Sequence, residues 1–248
     1  MKNLYQIRND VVISSITGNL PTDSPVCLPA SCIIFGVNGT FYVETENGAT
    51  ESGSCFLLTA DTTNKVVPIA CEGFVVIFFD AVSAEHYFLS RNYGTHGAVK
   101  LDWNDDEALL RRTFTKMNEA ESEAFLNAAF SVLFNEDRKS LPDLFDRRII
   151  LIDEYVRRNI REKINNKILA EKIHLSESRF YHFFKEQTHV NVSRYIQWLR
   201  LKTIFENYFK ADSKLSALIS PTLFTDLSHF IKAFKSFFGE SPKRLLRK

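Results

Sequence analysis

Two segments of the chain combine apolar and hydrogen-bonding side chains at helical spacing, and they repeat at an offset of 50 residues. The first is Glu-Ser-Arg-Phe-Tyr-His-Phe-Phe-Lys-Glu-Gln-Thr at 177–188, and the second is Leu-Ser-His-Phe-Ile-Lys-Ala-Phe-Lys-Ser-Phe-Phe at 227–238. In each segment two phenylalanines stand four residues apart, so they share one helix face. Serine, histidine and lysine occupy the opposite face. Such side chains donate hydrogen bonds to base edges and to phosphates.

The residues before the first segment predict a helix and a tight turn. Residues 167–173 form an amphipathic pattern, and His174-Leu175-Ser176 predicts a turn in which Ser176 caps the next helix. A long helix-like stretch, 192–209, connects this unit to the second segment. A helix about 10–12 Å across fits the major groove of DNA. Two helix-turn-helix units in tandem therefore favour double-stranded DNA as the partner.

The charge distribution agrees with that partner. Residues 147–248 contain 21 Lys and Arg against 10 Asp and Glu, a net charge of +11, whereas residues 1–146 have a net charge of −10. A basic half suits a polyanion. The alternative is two solvated surfaces of different charge. Every apolar run is too short to span a bilayer, and the first residues lack the apolar stretch of a signal peptide. We therefore expect a cytoplasmic protein without membrane contact.

The acidic half predicts short strands with turns between them. The predicted strands are 31–37, 40–45, 53–59, 65–70 and 73–80. Asn38-Gly39 separates two of them by two residues, which predicts a hairpin, and Asn47-Gly48 marks a second turn inside a longer loop. This spacing indicates a small β-barrel or jelly roll. We therefore expect an α+β protein, with an N-terminal barrel that resembles the cupin-like domains, flanking helices, and a C-terminal all-α part.

Amphipathic helices follow the strands from about residue 105. Residues 119–135 place alanines and phenylalanines on one face, which predicts core packing or a helical homodimer contact. Residues 135–140, followed by Pro142, are turn-like, so we place the domain boundary between 1–139 and 140–248.

The residue types argue against an enzyme, a cofactor and a metal. The strands between Ser31 and Asp80 contain no histidine, and the chain has no Gly-x-Ser-x-Gly and no phosphate-binding Gly-rich loop. The four cysteines lack Cys-x-x-Cys spacing, which predicts reduced, buried thiols, with redox sensing as the alternative.

The C-terminal residues resemble the AraC/XylS family of transcription regulators over about 148–248. The matching phrases are Leu169-Ala170-Glu171, Phe184-Lys185-Glu186, Leu199-Arg200-Leu201, Ser228-His229-Phe230, Phe238-Gly239 and Ser241-Pro242. The resemblance implies that the two recognition helices enter successive major-groove faces of one DNA site. RNA polymerase is a further candidate partner.

The resemblance also implies which side chains meet DNA. In the first unit they are Ser178, Arg179, Tyr181, His182 and Lys185; in the second they are Leu227, Ser228, His229, Ile231, Lys232 and Lys235; Lys243 and Arg244 follow. We expect Arg179, His182 and Lys232 to reach base edges. Lys185, Lys235, Lys243 and Arg244 are expected at phosphates. For His229, capping or packing is an equal alternative.

Four positions depart from the family pattern. Leu223 stands where a glycine is usual, Ile219 replaces a small alanine, and Pro221 removes a backbone donor. These changes predict a looser second unit. In the first unit, His189 stands where a glycine commonly ends the recognition helix.

The predicted barrel has an apolar lining that is either core or the wall of an effector pocket. By the resemblance, an apolar small molecule is the candidate effector; a regulator controlled by abundance or a protein partner is the alternative. A basic helical protein that binds nucleic acid non-specifically is the alternative of another class. The candidate pocket residues are Phe35, Phe41, Val43, Phe56, Leu58, Val76 and Phe78.

Overall fold

A computed structural model describes residues 3–8, 11–17, 25–94, 97–101, 141–210, 219, 223–239 and 241–245. The predicted helices between 105 and 135, the linker at 135–140 and the proposed domain boundary lie outside these residues and stay predictions. No helix within the described residues is long and apolar enough to span a bilayer.

Ten strands in the described residues form two antiparallel sheets, which together are called the barrel below. The six-stranded sheet has the order β1-β2-β9-β4-β7-β10, and the four-stranded sheet has the order β3-β8-β5-β6. Side chains from both sheets meet in one core, where the ring of Phe41 lies 5.2 Å from the rings of both Phe56 and Phe74. The α+β class and the N-terminal β-rich half are confirmed. The strands are β1 Asn3–Arg8, β2 Val11–Thr17, β3 Val26–Cys27, β4 Ser31–Val37, β5 Phe41–Thr45, β6 Thr50–Gly53, β7 Cys55–Leu58, β8 Thr63–Pro68, β9 Gly73–Phe79 and β10 Ala98–Lys100.

The predicted hairpin at Asn38-Gly39 is wrong. Strand β4 pairs with β7 and β9, whereas β5 pairs with β6 and β8, so this turn carries the chain from one sheet to the other. Asn38 has φ 53°, and a Cβ on Gly39 would lie 1.5 Å from the carbonyl oxygen of Ala70.

The burial of the two strands explains the error. Nearly every residue of β4 is buried, so it pairs with β9, which is buried on both faces, whereas β5 alternates between buried and exposed residues. The hairpin forms instead at Asn47-Gly48, where the Gly48 N–H donates to the carbonyl oxygen of Thr45 at 2.9 Å.

The central strands of the large sheet bury two opposite faces. Val76 and Phe78 of β9 point to one side, into the core shared with the four-stranded sheet and the helical half, while Val75 and Ile77 point to the other side, where the helix α1 (Ala84–Tyr93) packs. Phe35 also lies on that second side, so its prediction as a lining residue of the barrel interior is wrong. The sequence position of Phe35 within β4 decides this, because neighbouring residues of a strand face opposite sides.

The C-terminal half is helical, as predicted. The turn before the first recognition helix and the cap on Ser176 are confirmed. The helices are α2 Leu141–Leu144, α3 Arg147–Arg158, α4 Asn166–Lys172, α5 Glu177–Thr188, α6 Val192–Lys210, α7 Leu227–Phe238 and α8 Pro242–Leu245. Thus α5 and α7 are the two predicted recognition helices, and α6 is the connecting helix.

Two hydrophobic cores divide the helical half. The first unit, from Phe145 to Leu199, belongs to the same core as the barrel interior, whereas Leu201 and the residues after it form a separate core with the second unit. The connecting helix α6 contributes to both cores, and most of its described side chains are buried, apart from a stripe that includes Ser193, Gln197 and Arg200. This helix is therefore the main covalent and packing link between the two units.

Candidate DNA-binding interface

The first recognition helix is held by a cap at each end and by two buried rings. The Ser176 hydroxyl accepts from the Arg179 N–H at 3.4 Å, and His189 ends the helix in the left-handed conformation at φ 57°. The side chains of Phe180 and Phe184 are fully buried. The face opposite these rings is therefore fixed in direction and free to meet a partner.

That opposite face contains four of the five predicted contact residues in exposed positions: Ser178, Arg179, His182 and Lys185. The fifth, Tyr181, is half-buried, and its hydroxyl accepts a hydrogen bond from Asn191 Nδ2 at 3.0 Å. Tyr181 therefore helps to fix the chain between α5 and α6, a role that the sequence pattern did not predict.

The second recognition helix has the same design. Asp226 caps α7 by accepting from the His229 N–H at 2.8 Å, and Gly239 ends the helix at φ 70°. Phe230 and Phe234 are fully buried. Of the predicted contact residues, Leu227, Ser228, Lys232 and Lys235 are exposed.

Two predicted contacts of the second unit are partly occupied by packing. The His229 ring lies 5.3 Å from the Phe224 ring, and Ile231 packs against the second core. Both side chains are half-buried, so the packing alternative for His229 is favoured by its surroundings. Lys243 in α8 is exposed, whereas the side chain of Arg244 lies outside the described part.

The departures from the family pattern are absorbed by the second core where the structure describes them. Leu223 is almost fully buried, and Ile219 packs against the same core from its edge. An apolar side chain replaces the usual small residue at both positions and adds buried surface there. Pro221 lies outside the described residues, so its effect on the second unit stays a prediction.

Several contacts that sequence reasoning missed join the barrel to the helical half. Asp80, directly after β9, is fully buried and accepts from Arg157 Nη2 at 2.8 Å, Trp198 Nε1 at 2.6 Å and Lys202 Nζ at 2.5 Å. Arg157 also donates to Asp153. Burial opposes the charge of Arg157, but Tyr195, Asp80 and Asp153 outweigh it and raise the pKa of its guanidinium.

A second carboxylate of the barrel meets the start of the connecting helix. Asp61 accepts from the Asn191 N–H at 2.8 Å and forms an ion pair with Arg194 Nε at 2.6 Å. Arg194 also donates to the carbonyl oxygen of Cys27. The negative charge of Asp61 also interacts favourably with the positive end of the helix dipole of α6.

His86 of α1 connects the barrel to the end of the first recognition helix. Its Nε2 lies 2.7 Å from the Thr188 carbonyl oxygen, which can only accept, so Nε2 carries the proton. Its Nδ1 then accepts from the Ser31 hydroxyl at 3.1 Å, and that hydroxyl accepts from the Ala60 N–H. Burial lowers the pKa of His86 to about 4.

One signal in the sequence could have indicated the Asp80 cluster, which consists of Asp80, Arg157, Trp198 and Lys202. Lys202 lies three or four positions from Trp198, Leu199 and Phe205, so it shares an apolar face of the connecting helix with them. A lysine at such a position needs a buried carboxylate nearby. Asp80 follows directly after an apolar strand and was available, but nothing local pairs two residues that are 122 positions apart.

The barrel interior is packed where most of the predicted pocket residues lie. Phe41, Val43, Phe56, Leu58, Val76 and Phe78 all belong to the shared core and are almost fully buried. A cavity of about 260 Å³ lies beside two of them, Val43 and Phe56; its other lining residues are Thr45, Ala49, Thr50, Glu51 and Ala98. All four cysteines are free thiols; Cys32 and Cys55 are buried, as predicted, whereas Cys27 and Cys71 are half-buried.

Comparison with known proteins gives one family match and similar regulatory proteins. A family described as "Helix-turn-helix domain" matches residues 169–248. The "Probable transcriptional regulator LumQ" of Photobacterium leiognathi is 26% identical over 136 residues, which are 52% of this chain and 55% of that protein. The "Msm operon regulatory protein" of Streptococcus mutans is 38% identical over 78 residues, which are 31% of this chain and 27% of that protein. The chain thus spans about half or less of these relatives.

Solved structures match nearly the whole chain. An apo variant of ToxT from Vibrio cholerae has a TM-score of 0.65 at 14% identity, covering 96% of this chain and 97% of that one. Wild-type ToxT bound to an unsaturated fatty acid has a TM-score of 0.60 at 13% identity, covering 99% of this chain and 97% of that one. At such identities the likeness shows the fold. Residues 169–248 thus match a helix-turn-helix family, and the motifs of both units resemble those of the AraC/XylS regulators.

Proposed function

We propose that this protein is a transcription regulator that recognises a specific DNA site through α5 and α7. The observation that carries the proposal is the repetition of one design, in which each helix buries two phenylalanines and exposes serine and basic side chains on the other face. Exposed donors on two such helices can read base edges in two successive stretches of major groove. The net charge of +11 over residues 147–248 favours the phosphate backbone.

The test is selection of genome fragments by the purified full-length chain at near-physiological salt. Two recognition helices joined by one connecting helix predict an enriched site of roughly 20 base pairs, with two half-sites about one helical turn apart. Recovery of general DNA without an enriched motif would contradict the proposal. That result would favour the alternative of a basic protein that binds nucleic acid without sequence preference.

The cellular setting follows from this activity. A regulator that binds DNA and acts on transcription works in the cytoplasm of a bacterium, and RNA polymerase is its candidate protein partner. A homodimer through 119–135 remains the candidate for self-association. Sedimentation of the full-length chain, with and without the selected DNA, would distinguish one copy per site from two.

For regulation, the proposal includes an apolar small-molecule effector in the N-terminal half. The cavity beside Val43 and Phe56 is the supporting feature, and the fatty acid bound to ToxT suggests the ligand class. Its volume of about 260 Å³ lies just below the range of about 300–1,000 Å³ typical of small-molecule sites. The expected ligand is therefore small, or its entry widens the cavity.

Thermal shift with a series of apolar carboxylic acids tests this second proposal. Stabilisation of the wild-type chain, and its loss in Ala98→Leu, which partly fills the cavity, would support a ligand at this place. The matched control is Ala70→Leu, which changes an exposed alanine outside the cavity. Ala60→Leu would be unsuitable because Ala60 is buried. No stabilisation by any acid, with no lipid co-purified, would favour control by abundance or a protein partner.

A further inference from the structure

Asp80 of the barrel and Lys202 of α6 form an ion pair whose two side chains are almost closed to water. The Asp80 side chain has no exposed surface, and that of Lys202 is 4% exposed. A buried carboxylate is costly unless it is paired and hydrogen-bonded. Here each Asp80 oxygen has a donor: Trp198 Nε1 serves Oδ1, while Lys202 and Arg157 serve Oδ2.

The barrel supplies part of the charge compensation for the cations of the helical half. Asp153 pairs with Arg157 at 2.8 Å, and Asp80 pairs with the buried ammonium of Lys202 at 2.5 Å. Loss of the Asp80 charge would remove this compensation from Lys202 and Arg157, while their desolvation would remain. A small displacement of the barrel from α6 would separate these buried charges, and such a displacement is therefore strongly unfavourable.

The barrel contacts both helix-turn-helix units next to this cluster. The ring of Phe78 lies 5.2 Å from that of Trp198 in α6 and 6.1 Å from that of Phe238 at the end of α7. Arg194, which is paired with Asp61 of the barrel, lies over the ring of Phe237 at 4.9 Å. The same surface of the barrel therefore supports α6 and the C-terminal end of α7 together.

The two units share few other contacts in the described residues. Their cores are separate, and only Ile160 and Phe238 are partly buried against both. The spacing of α5 and α7 therefore depends on α6 and on the barrel surface that packs against it. The predicted contact faces stay open in this arrangement, since Arg179, Lys185 and Lys232 are exposed.

We propose that Asp80 and Asp61 are positioning residues for DNA binding: they hold the barrel against α6, and the barrel in turn fixes α7 relative to α5. The inference rests on the proposed function, because it concerns how two half-sites are bound at once. A fixed spacing makes the second contact intramolecular, and a mobile one loses that advantage.

The first part of the test measures docking without DNA. The chain has two tryptophans, so a Trp103→Phe background leaves Trp198 as the fluorescent reporter. In this background Asp80→Asn is expected to shift the Trp198 emission to longer wavelength, because water reaches the contact. Glu154→Gln removes the same charge from an exposed ion pair of α3 and is the matched control, with no shift expected.

The second part measures affinity for the selected duplex and for duplexes in which one half-site is replaced by unrelated sequence. Asp80→Asn should lower full-site affinity by roughly tenfold or more and leave half-site affinity unchanged. Adding Lys202→Met removes the buried cation that Asp80 pairs with, so the double variant should regain most of the full-site affinity. Glu154→Gln should behave like the wild type on every duplex.

Asp61→Asn guards against a folding failure of Asp80→Asn. Asp61 has φ 56°, a conformation that asparagine tolerates, and its side chain is partly exposed. Asp61→Asn is expected to lower the ratio of full-site to half-site affinity, but by less than Asp80→Asn does. An unchanged full-to-half-site ratio in Asp61→Asn and in a folded Asp80→Asn, or a rise in full-site affinity, would overturn the inference alone. Failure of the wild type to select any site would instead overturn the proposed function, and this inference with it.

Discussion

The recognition helices α5 and α7 have the same inner face and differ at their ends. Phe180 and Phe184 in α5 correspond to Phe230 and Phe234 in α7, and all four rings are fully buried. The C-terminal end of α5 is tied to the barrel by polar contacts, since His86 donates to the carbonyl oxygen of Thr188. At the end of α7 the contact is apolar, between Phe238 and Phe78.

This difference indicates how one repeated unit can serve two roles. The first unit shares its core with the barrel and is oriented by directional hydrogen bonds, whereas the second has its own core and meets the barrel through rings. Hydrogen bonds fix orientation more narrowly than apolar contacts, which are non-directional. We therefore expect the first unit to move with the barrel and the second to depend on α6 and on Phe78.

The largest effect is expected from truncating equivalent rings. Phe184→Ala and Phe234→Ala should each lower the free energy of unfolding by about 3–5 kcal/mol, because each leaves a cavity in a closed core. Hydrogen exchange should show that Phe184→Ala also loosens the barrel, whereas Phe234→Ala loosens only the second unit. If hydrogen exchange increased equally over the whole chain in both variants, the division into two cores would be contradicted.

Acid should act on the polar contact of the first unit. His86 has a pKa of about 4 in the folded chain against 6.5 for the unperturbed group, so the unfolded chain takes up this proton first as the pH falls. The stability contribution is complete above pH 6.5 and is lost towards pH 4, by about 3 kcal/mol in total.

Urea unfolding at pH 7 and pH 4.5 measures this contribution. The stability of His86→Gln should fall less between these pH values than that of the wild type, because glutamine does not titrate. His182→Gln changes an exposed histidine of α5 and should keep the wild-type dependence. Identical slopes for His86→Gln and the wild type would remove His86 as the acid-sensitive contact.

The outer faces should contribute comparably to DNA recognition. Arg179→Ala in α5 and Lys232→Ala in α7 should each weaken binding to the selected site by roughly 1–3 kcal/mol and relax specificity in only one half of it. Arg158→Ala, which changes an exposed arginine paired with Glu154, is the matched control for charge. Wild-type affinity in both variants would show that these faces do not read DNA.

The smallest effect is expected at the helix caps, where the two units again differ. Asp226 accepts at 2.8 Å and Ser176 at 3.4 Å, and the carboxylate also interacts with the helix dipole. Asp226→Ala should therefore cost about 1 kcal/mol of stability and Ser176→Ala less. Thermal unfolding of both variants measures the order, and a larger loss for Ser176→Ala would contradict it.

The recognition helices could be predicted closely because their signals are local. Ser176 and the inward phenylalanines lie within one or two turns of each other, and helix formation depends on such neighbours. The predicted bounds 177–188 and 227–238 agree with the structure. The exposed face followed from the same periodicity, although the half-burial of Tyr181 and Ile231 did not, because it depends on packing against other elements.

The sequence by itself determined five strands between residues 31 and 80, the recognition helices with their inner and outer faces, and the charge asymmetry. It did not predict β1, β2, β3, β6, β10 or α1. The tertiary structure decided which strands pair, so that Asn38-Gly39 connects two sheets and Phe35 faces α1. It also brought Asp80 to Lys202 across 122 positions. Pairings at such separations are selected by burial and charge compensation in the whole fold, and no local pattern of residues encodes them.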